Sequence, residues 1–180
     1  MAGVEGQALS GRPSSGPAPR KAFPHRRLPL LLTSACFAVT PANAADWLGT
    51  TSPDWFAPGN WSTNAVPSSS TVVNINNAAI PNPATINGPG AASGTVTLGS
   101  TAGQSGTLNV TGGGLAVNGS IYVGLLGSGT LNISGGTVSS TGLASVADSP
   151  NSSGTVTVSG AGTQFNPGQL YVAADVNTLG

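Results

Sequence analysis

The chain has 180 residues, a formal net charge of zero and only 6% charged residues. That length supports one domain with a substantial core, while the scarcity of cations excludes the basic surface that nucleic-acid binding requires. One His and one Cys are too few for a zinc site, and a nucleophilic triad needs a base that most of the chain does not contain.

The zero net charge hides a segregation. Arg12, Arg20, Lys21, Arg26, Arg27 and His25 all lie in the first 27 residues. Beyond Arg27 the only charged side chains are Asp46, Asp54, Asp148 and Asp175. The segment "RKAFPHRR" is a positive n-region, "LPLLLTSACFAV" (Leu28 to Val39) is an apolar run, and "TPANAA" ends in small residues. This order defines a secretory signal, with Ala42 and Ala44 in the spacing a signal peptidase reads. Cleavage is expected after Ala44 or, one residue later, after Ala45. The apolar run is shorter than the roughly 20 residues that span a bilayer. Residues 1–44 are therefore assigned to a leader, whose Gly/Ser/Pro-rich start has the composition of a disordered extension. Arg26-Arg27 and "LTSAC" leave twin-arginine and lipoprotein signals as rival readings. Pro29 and the lack of the flanking pattern weigh against the first, and Thr33 at a normally aliphatic position against the second. Cys36 leaves with the leader, so the mature chain has neither disulfide nor thiolate ligand.

Residues 45–93 form a Trp-rich entry. "DWLGTTSPDWFAPGNW" brings Trp47, Trp55 and Trp61 close together, and strands are expected at "TVVNI" (Thr71 to Ile75) and "ATI" (Ala84 to Ile86), punctuated by Pro81, Pro83 and Pro89. The rings, with Phe56, are expected to cover the open end of an apolar column. A sugar-stacking platform is the alternative, disfavoured because no polar cluster accompanies them.

Residues 94–180 repeat. "GT" followed by apolar, polar and apolar residues begins at Gly94, Gly106, Gly129 and Gly154, and the last three copies are 23 and 25 residues apart. Side chains alternate faces in a strand. One face is thus Val96 with Leu98, Leu108 with Val110, Leu131 with Ile133, and Val156 with Val158. The other face is Thr and Asn. A Gly/Ser corner follows the last three copies, then a second strand ("LAV", "TVSS", "TQF"), then a third ("GSIYVG", "GLASVA", "GQLYVA"). Three strands per coil with no helical stretch predict an all-β fold, a β-solenoid with like residues stacked coil on coil. An antiparallel sandwich is the competing architecture. The break at "VAADVNTLG", where another "SGT" strand is due, predicts a longer repeat protein continuing past Gly180.

The segment "WFAPGNWSTNAVP" followed by "TVVNI" resembles the start of many autotransporter passengers. "SGTLNVTGGGLAVNGSIYVG" and "SGTVTVSGAGTQFNPGQLYVA" resemble the short Gly-rich repeat of those passengers, found also in surface proteins with a Pro-Glu-Pro sorting tail. The Gly129 copy departs from the pattern, with Ser140 at an apolar position and Ala144-Ser145 in place of an aliphatic residue and Tyr. The resemblance implies a right-handed parallel β-helix outside the cell. Membrane attachment would come only through a C-terminal translocator or anchor beyond Gly180.

Chemistry is sparse. Glycosidases need two carboxyls about 5 to 10 Å apart, and the available pairs are Asp46 with Asp54 and Asp148 with Asp175. Their Ser, Pro and Asn neighbours mark them as turn residues. Neither a cofactor nor a metal site is expected. "TVT" at Thr95–Thr97 and Thr155–Thr157 is similar to the Thr ladders of ice-binding solenoids, but the intervening "TLN" copies break the array. Asn-x-Ser/Thr occurs at Asn60, Asn109, Asn118, Asn132 and Asn151, as chance allows in so Asn-rich a repeat. The expected function is that of a non-enzymatic stalk or adhesin, with host or environmental glycans, cell surfaces or other copies as partners. The alternatives are the N-terminal part of a β-helical polysaccharide lyase or hydrolase, and a self-associating matrix protein.

Overall fold

Short alternating segments separated by Gly-rich corners produce strands, and their like faces stack. The computed structural model describes residues 44–76 and 79–172, together with Gly16. Among these residues twelve strands follow one another: β1 (Ala44–Asp46), β2 (Val72–Ile75), β3 (Ala84–Ile86), β4 (Ala91–Ser93), β5 (Thr95–Leu98), β6 (Ser105–Val110), β7 (Gly114–Val117), β8 (Ile121–Val123), β9 (Ser128–Ile133), β10 (Thr137–Val146), β11 (Ser153–Val158) and β12 (Gln164–Val172). The only other regular element among the described residues is a 3-10 turn at Pro58–Asn60.

All ten strand pairings among the described residues are parallel. This removes the sandwich and establishes a β-solenoid of about five coils. The strands fall into three columns. The first holds β3, β6, β9 and β11; the second holds β4, β7 and the leading halves of β10 and β12; the third holds β1, β2, β5, β8 and the trailing halves of β10 and β12. In β10 and β12 the chain runs through the second and third columns as one strand, with an irregular register between Ser140 and Leu143.

One phase differs from the sequence expectation. The "GT" copy at Gly94 is not equivalent to the other three. Its strand β5 lies in the third column, where Val96 and Leu98 pair with Ile121 and Val123. The strands from Gly106, Gly129 and Gly154 lie in the first column, Leu108 on Leu131 on Val156 and Val110 on Ile133 on Val158. Alternation fixes which side chains point inward, but all three columns share it, so the short motif cannot tell them apart. The "TVT" of Thr95–Thr97 and that of Thr155–Thr157 consequently sit on different faces.

The interior is one aliphatic column. Val96, Leu98, Leu108, Val110, Leu131 and Ile133 are all buried, as are Val73, Ile75, Leu115, Val117, Ile121 and Val123. Full burial of such side chains contributes about 1.5–3 kcal/mol each. Val156 and Val158 differ. They belong to the last described coil and have a described neighbour on one side only, so Val156 is half-buried and Val158 is 47% exposed. Leu170 and Val172 of the same coil are exposed for the same reason. The described residues on either side of Gly94 share this column, since β4 and β5 each pair with the coil that follows.

Two glycine positions are set by backbone geometry. At Gly106, Gly129 and Gly154 a Cβ would run into the chain where it leaves the third column, at Ile75 with Gly99, at Val123–Gly124 and at Val123 with Ala147 respectively. The chain there passes too close for any side chain. At the exit from the third column, Gly99 (φ 63°), Gly124 (φ 81°) and Ala147 (φ 58°) take the left-handed conformation, where only the last carries the steric cost of a side chain.

Candidate functional site

The first column presents the most regular exterior. Inward residues of β6, β9 and β11 alternate with Ser105, Thr107 and Asn109, then Ser128, Thr130 and Asn132, then Ser153, Thr155 and Thr157. The register places these nine side chains in three ranks and three files, and Thr85 of β3 extends the Asn109–Asn132–Thr157 file by one rung. Successive rungs are about 4.8 Å apart and neighbouring files about 6.6 Å apart. Every member is a neutral hydroxyl or amide. Side chains also bond along the files: Asn132 Nδ2 donates to Asn109 Oδ1 at 3.0 Å, and Ser153 Oγ donates to Ser128 Oγ at 2.9 Å.

The other two faces are uneven. The second column shows Ala92, Ala116 and Ser139, three small residues over a shallow depression, followed by the amide of Asn166. The third shows Asn74, Thr97, Tyr122, Ser145 and Tyr171. Thr97 and Ser145 are buried.

The Trp-rich entry folds into the first coil. Trp47 meets Trp61 edge-on with centroids 4.9 Å apart, and Trp55 meets Trp61 likewise at 4.7 Å. All three rings are buried within the same apolar cluster as the aliphatic column. Trp47 Nε1 donates to the Asn82 carbonyl and Trp61 Nε1 to the Trp55 carbonyl, each at 2.8 Å, while Trp55 Nε1 is buried without a partner. Rings so enclosed offer no face to a sugar, so the stacking platform is excluded in this conformation. Phe56 packs against the cluster from a partly buried position.

Asn60 organises this coil, and sequence reasoning missed it. Its side chain is fully buried. Oδ1 accepts from the Thr51 amide, the Thr51 hydroxyl and the Ser52 amide at 3.0, 2.6 and 3.2 Å. Nδ2 donates to Ser52 Oγ at 3.0 Å and to the Asp54 carbonyl at 2.9 Å. A buried amide satisfied this fully fixes a loop that no ladder could hold. The available signal was its place in "PGNW", a short polar residue closing a Pro-Gly turn between two Trp. The same burial leaves the Asn60 sequon inaccessible in the folded chain. Asn118 and Asn151 are exposed at corners.

Asp54 and Asp148 serve their own turns, and Asp46 ties β1 to β2. Asp46 Oδ1 accepts from Asn74 Nδ2, Asp54 Oδ1 accepts from the Phe56 amide, and Asp148 Oδ1 accepts from Ser145 Oγ. Asp175 lies outside the described residues, as does Ala42. Ala44 and Ala45 lie in β1, paired with Val72 and Val73, and Ala45 is buried. Among the described residues no group of three or more His, Cys, Asp or Glu converges to hold a metal ion, and no helix is long and apolar enough to cross a membrane. No protein-family profile, no curated protein and no solved structure matches this chain.

Proposed function

We propose that this chain is an exported β-helical passenger segment that acts as a stalk or adhesin on the cell surface. The reading is carried by one observation: a parallel stack of coils with an aliphatic interior and a neutral, hydrogen-bonding exterior. Each added coil lengthens the rod without new chemistry, because a coil contacts only its neighbours. Repeated rungs of similar chemistry suit weak, multivalent contact in which many small contributions add through high local concentration. The signal-like order of basic, apolar and small residues before Ala45 supports export. The resemblance of "WFAPGNWSTNAVP" and the "SGT" repeats to autotransporter and sorting-tail passengers supports display.

Labelling of intact producing cells with an antibody raised against residues 45–172 tests the reading. Surface label that protease treatment of whole cells removes is the expected result. Retention of all the antigen in the cytoplasm, with residues 1–44 still attached, overturns it.

A further inference from the structure

The three outer faces are built by the same three-strand coil, yet only one is chemically uniform. We propose that the Ser/Thr/Asn face of β3, β6, β9 and β11 binds an extended, neutral, β-linked polysaccharide lying along the solenoid axis. The proposal rests on the exported reading above and supplies that surface with a ligand class.

Charge selects the partner first. No cation lies on this face, and no carboxylate lies among the ranks of β6, β9 and β11; the bridge from Asp54 to Thr85 sets one carboxylate at the edge, a rung beyond β3. An acidic glycan, a nucleic acid or an anionic membrane would lose its solvation here and gain no counter-charge. A neutral partner loses nothing of that kind. Spacing selects it next. Rungs recur about every 4.8 Å, close to the advance of one pyranose in an extended β-linked chain, so one sugar can face each coil. The files Thr107–Thr130–Thr155 and Asn109–Asn132–Thr157 lie about 6.6 Å apart, which places donors and acceptors along both edges of a flat ring. Hydroxyls and amides each donate and accept, as sugar hydroxyls do. The bonds from Asn132 to Asn109 and from Ser153 to Ser128 already hold part of the array in order. Less side-chain freedom is therefore lost on binding.

The central Asn pair also separates a glycan from ice. An ice-binding face relies on an unbroken grid of hydroxyl and methyl groups, and Asn109 and Asn132 interrupt it with linked amides. With the Trp rings buried, affinity per sugar is low, and retention depends on several coils acting together.

The test uses the full chain with microcrystalline cellulose and with chitin as two insoluble neutral β-glycans, and polygalacturonate as the acidic control. Wild type is expected to sediment with cellulose or chitin and not to bind polygalacturonate. Which of the two retains it identifies the sugar. The double variant Thr130→Lys/Thr155→Lys, whose new side chains rise from the proposed face, is expected to lose about tenfold in retention. Ala116→Lys on the second-column face is expected to leave it unchanged. Circular dichroism of both variants confirms that the strands remain. The proposal is overturned if neither glycan retains wild type, if Ala116→Lys weakens binding as much, or if wild type instead arrests ice growth and the double variant does not. Any of those results alongside surface label on intact cells removes the ligand and leaves the passenger reading standing.

Discussion

The first coil and the coils from β6 to β10 enclose the same apolar column by different means. The repeat coils are held by ladders: each strand pairs with like strands on both sides, and the corners are short. The first coil has β1, two isolated bridges and a long irregular loop, so it lacks most of that ladder. Three interlocked indoles and one buried amide replace the missing pairing. Backbone hydrogen bonds that cannot be made between strands must be made elsewhere, and Asn60 makes several of them. A solenoid end is therefore a folding problem of a different kind from its middle. The end is held by a few specific side chains, the middle by many interchangeable ones.

This contrast predicts unequal sensitivity to mutation. Trp61→Ala removes the ring that touches both other indoles and is expected to cost about 3–5 kcal/mol, read as a large fall in the denaturation midpoint. A loss no greater than that for a single core Val→Ala would show that the cap is not specialised. Asn60→Ala leaves the amides of Thr51 and Ser52 and the Thr51 hydroxyl without their acceptor, a loss of about 2–3 kcal/mol. Asn60→Asp separates acceptor from donor, since it keeps the bonds into Oδ1 and loses those from Nδ2. In the middle of the stack, Gly129→Ala forces a Cβ against Val123 and Gly124, with an expected cost of about 1–3 kcal/mol by overpacking. If urea denaturation gave it a midpoint equal to wild type, the close coil-to-coil approach would be wrong. The smallest effect is a gain. Ala147→Gly places glycine where Gly99 and Gly124 already stand and is expected to raise stability by about 0.5–1 kcal/mol, since relief of left-handed strain outweighs the added chain entropy.

Much of the repeat was legible because alternation is a local property. "GTLNV", "GTLNI" and "GTVTV" declare a buried face and a polar face from five residues each, and the stacked pairs Leu108–Leu131–Val156 and Val110–Ile133–Val158 follow from their spacing. The aligned third strands were equally readable, with Ile121 on Ala144 on Leu170. The strands β1 and β4 escaped notice. "AAD" and "AAS" have neither β-branched residues nor marked alternation, and only their neighbours Val72–Asn74 and Leu115–Val117 draw them into the sheet. The outer array was half legible. Alternation alone turns Thr and Asn outward, but the Ser105–Ser128–Ser153 file and the exclusion of "TVT" at Thr95–Thr97 follow only from the register.

By itself the sequence determined the class of fold, the inward residues of each repeat strand and the scarcity of charge on the exterior, because period-two patterning and composition are set residue by residue. The tertiary structure alone decided which column each strand joins, because any alternating segment fits any of the three until its neighbours are in place. It alone decided that the indoles close inward around Asn60, because a polar residue becomes a hub only when distant backbone groups are brought to it.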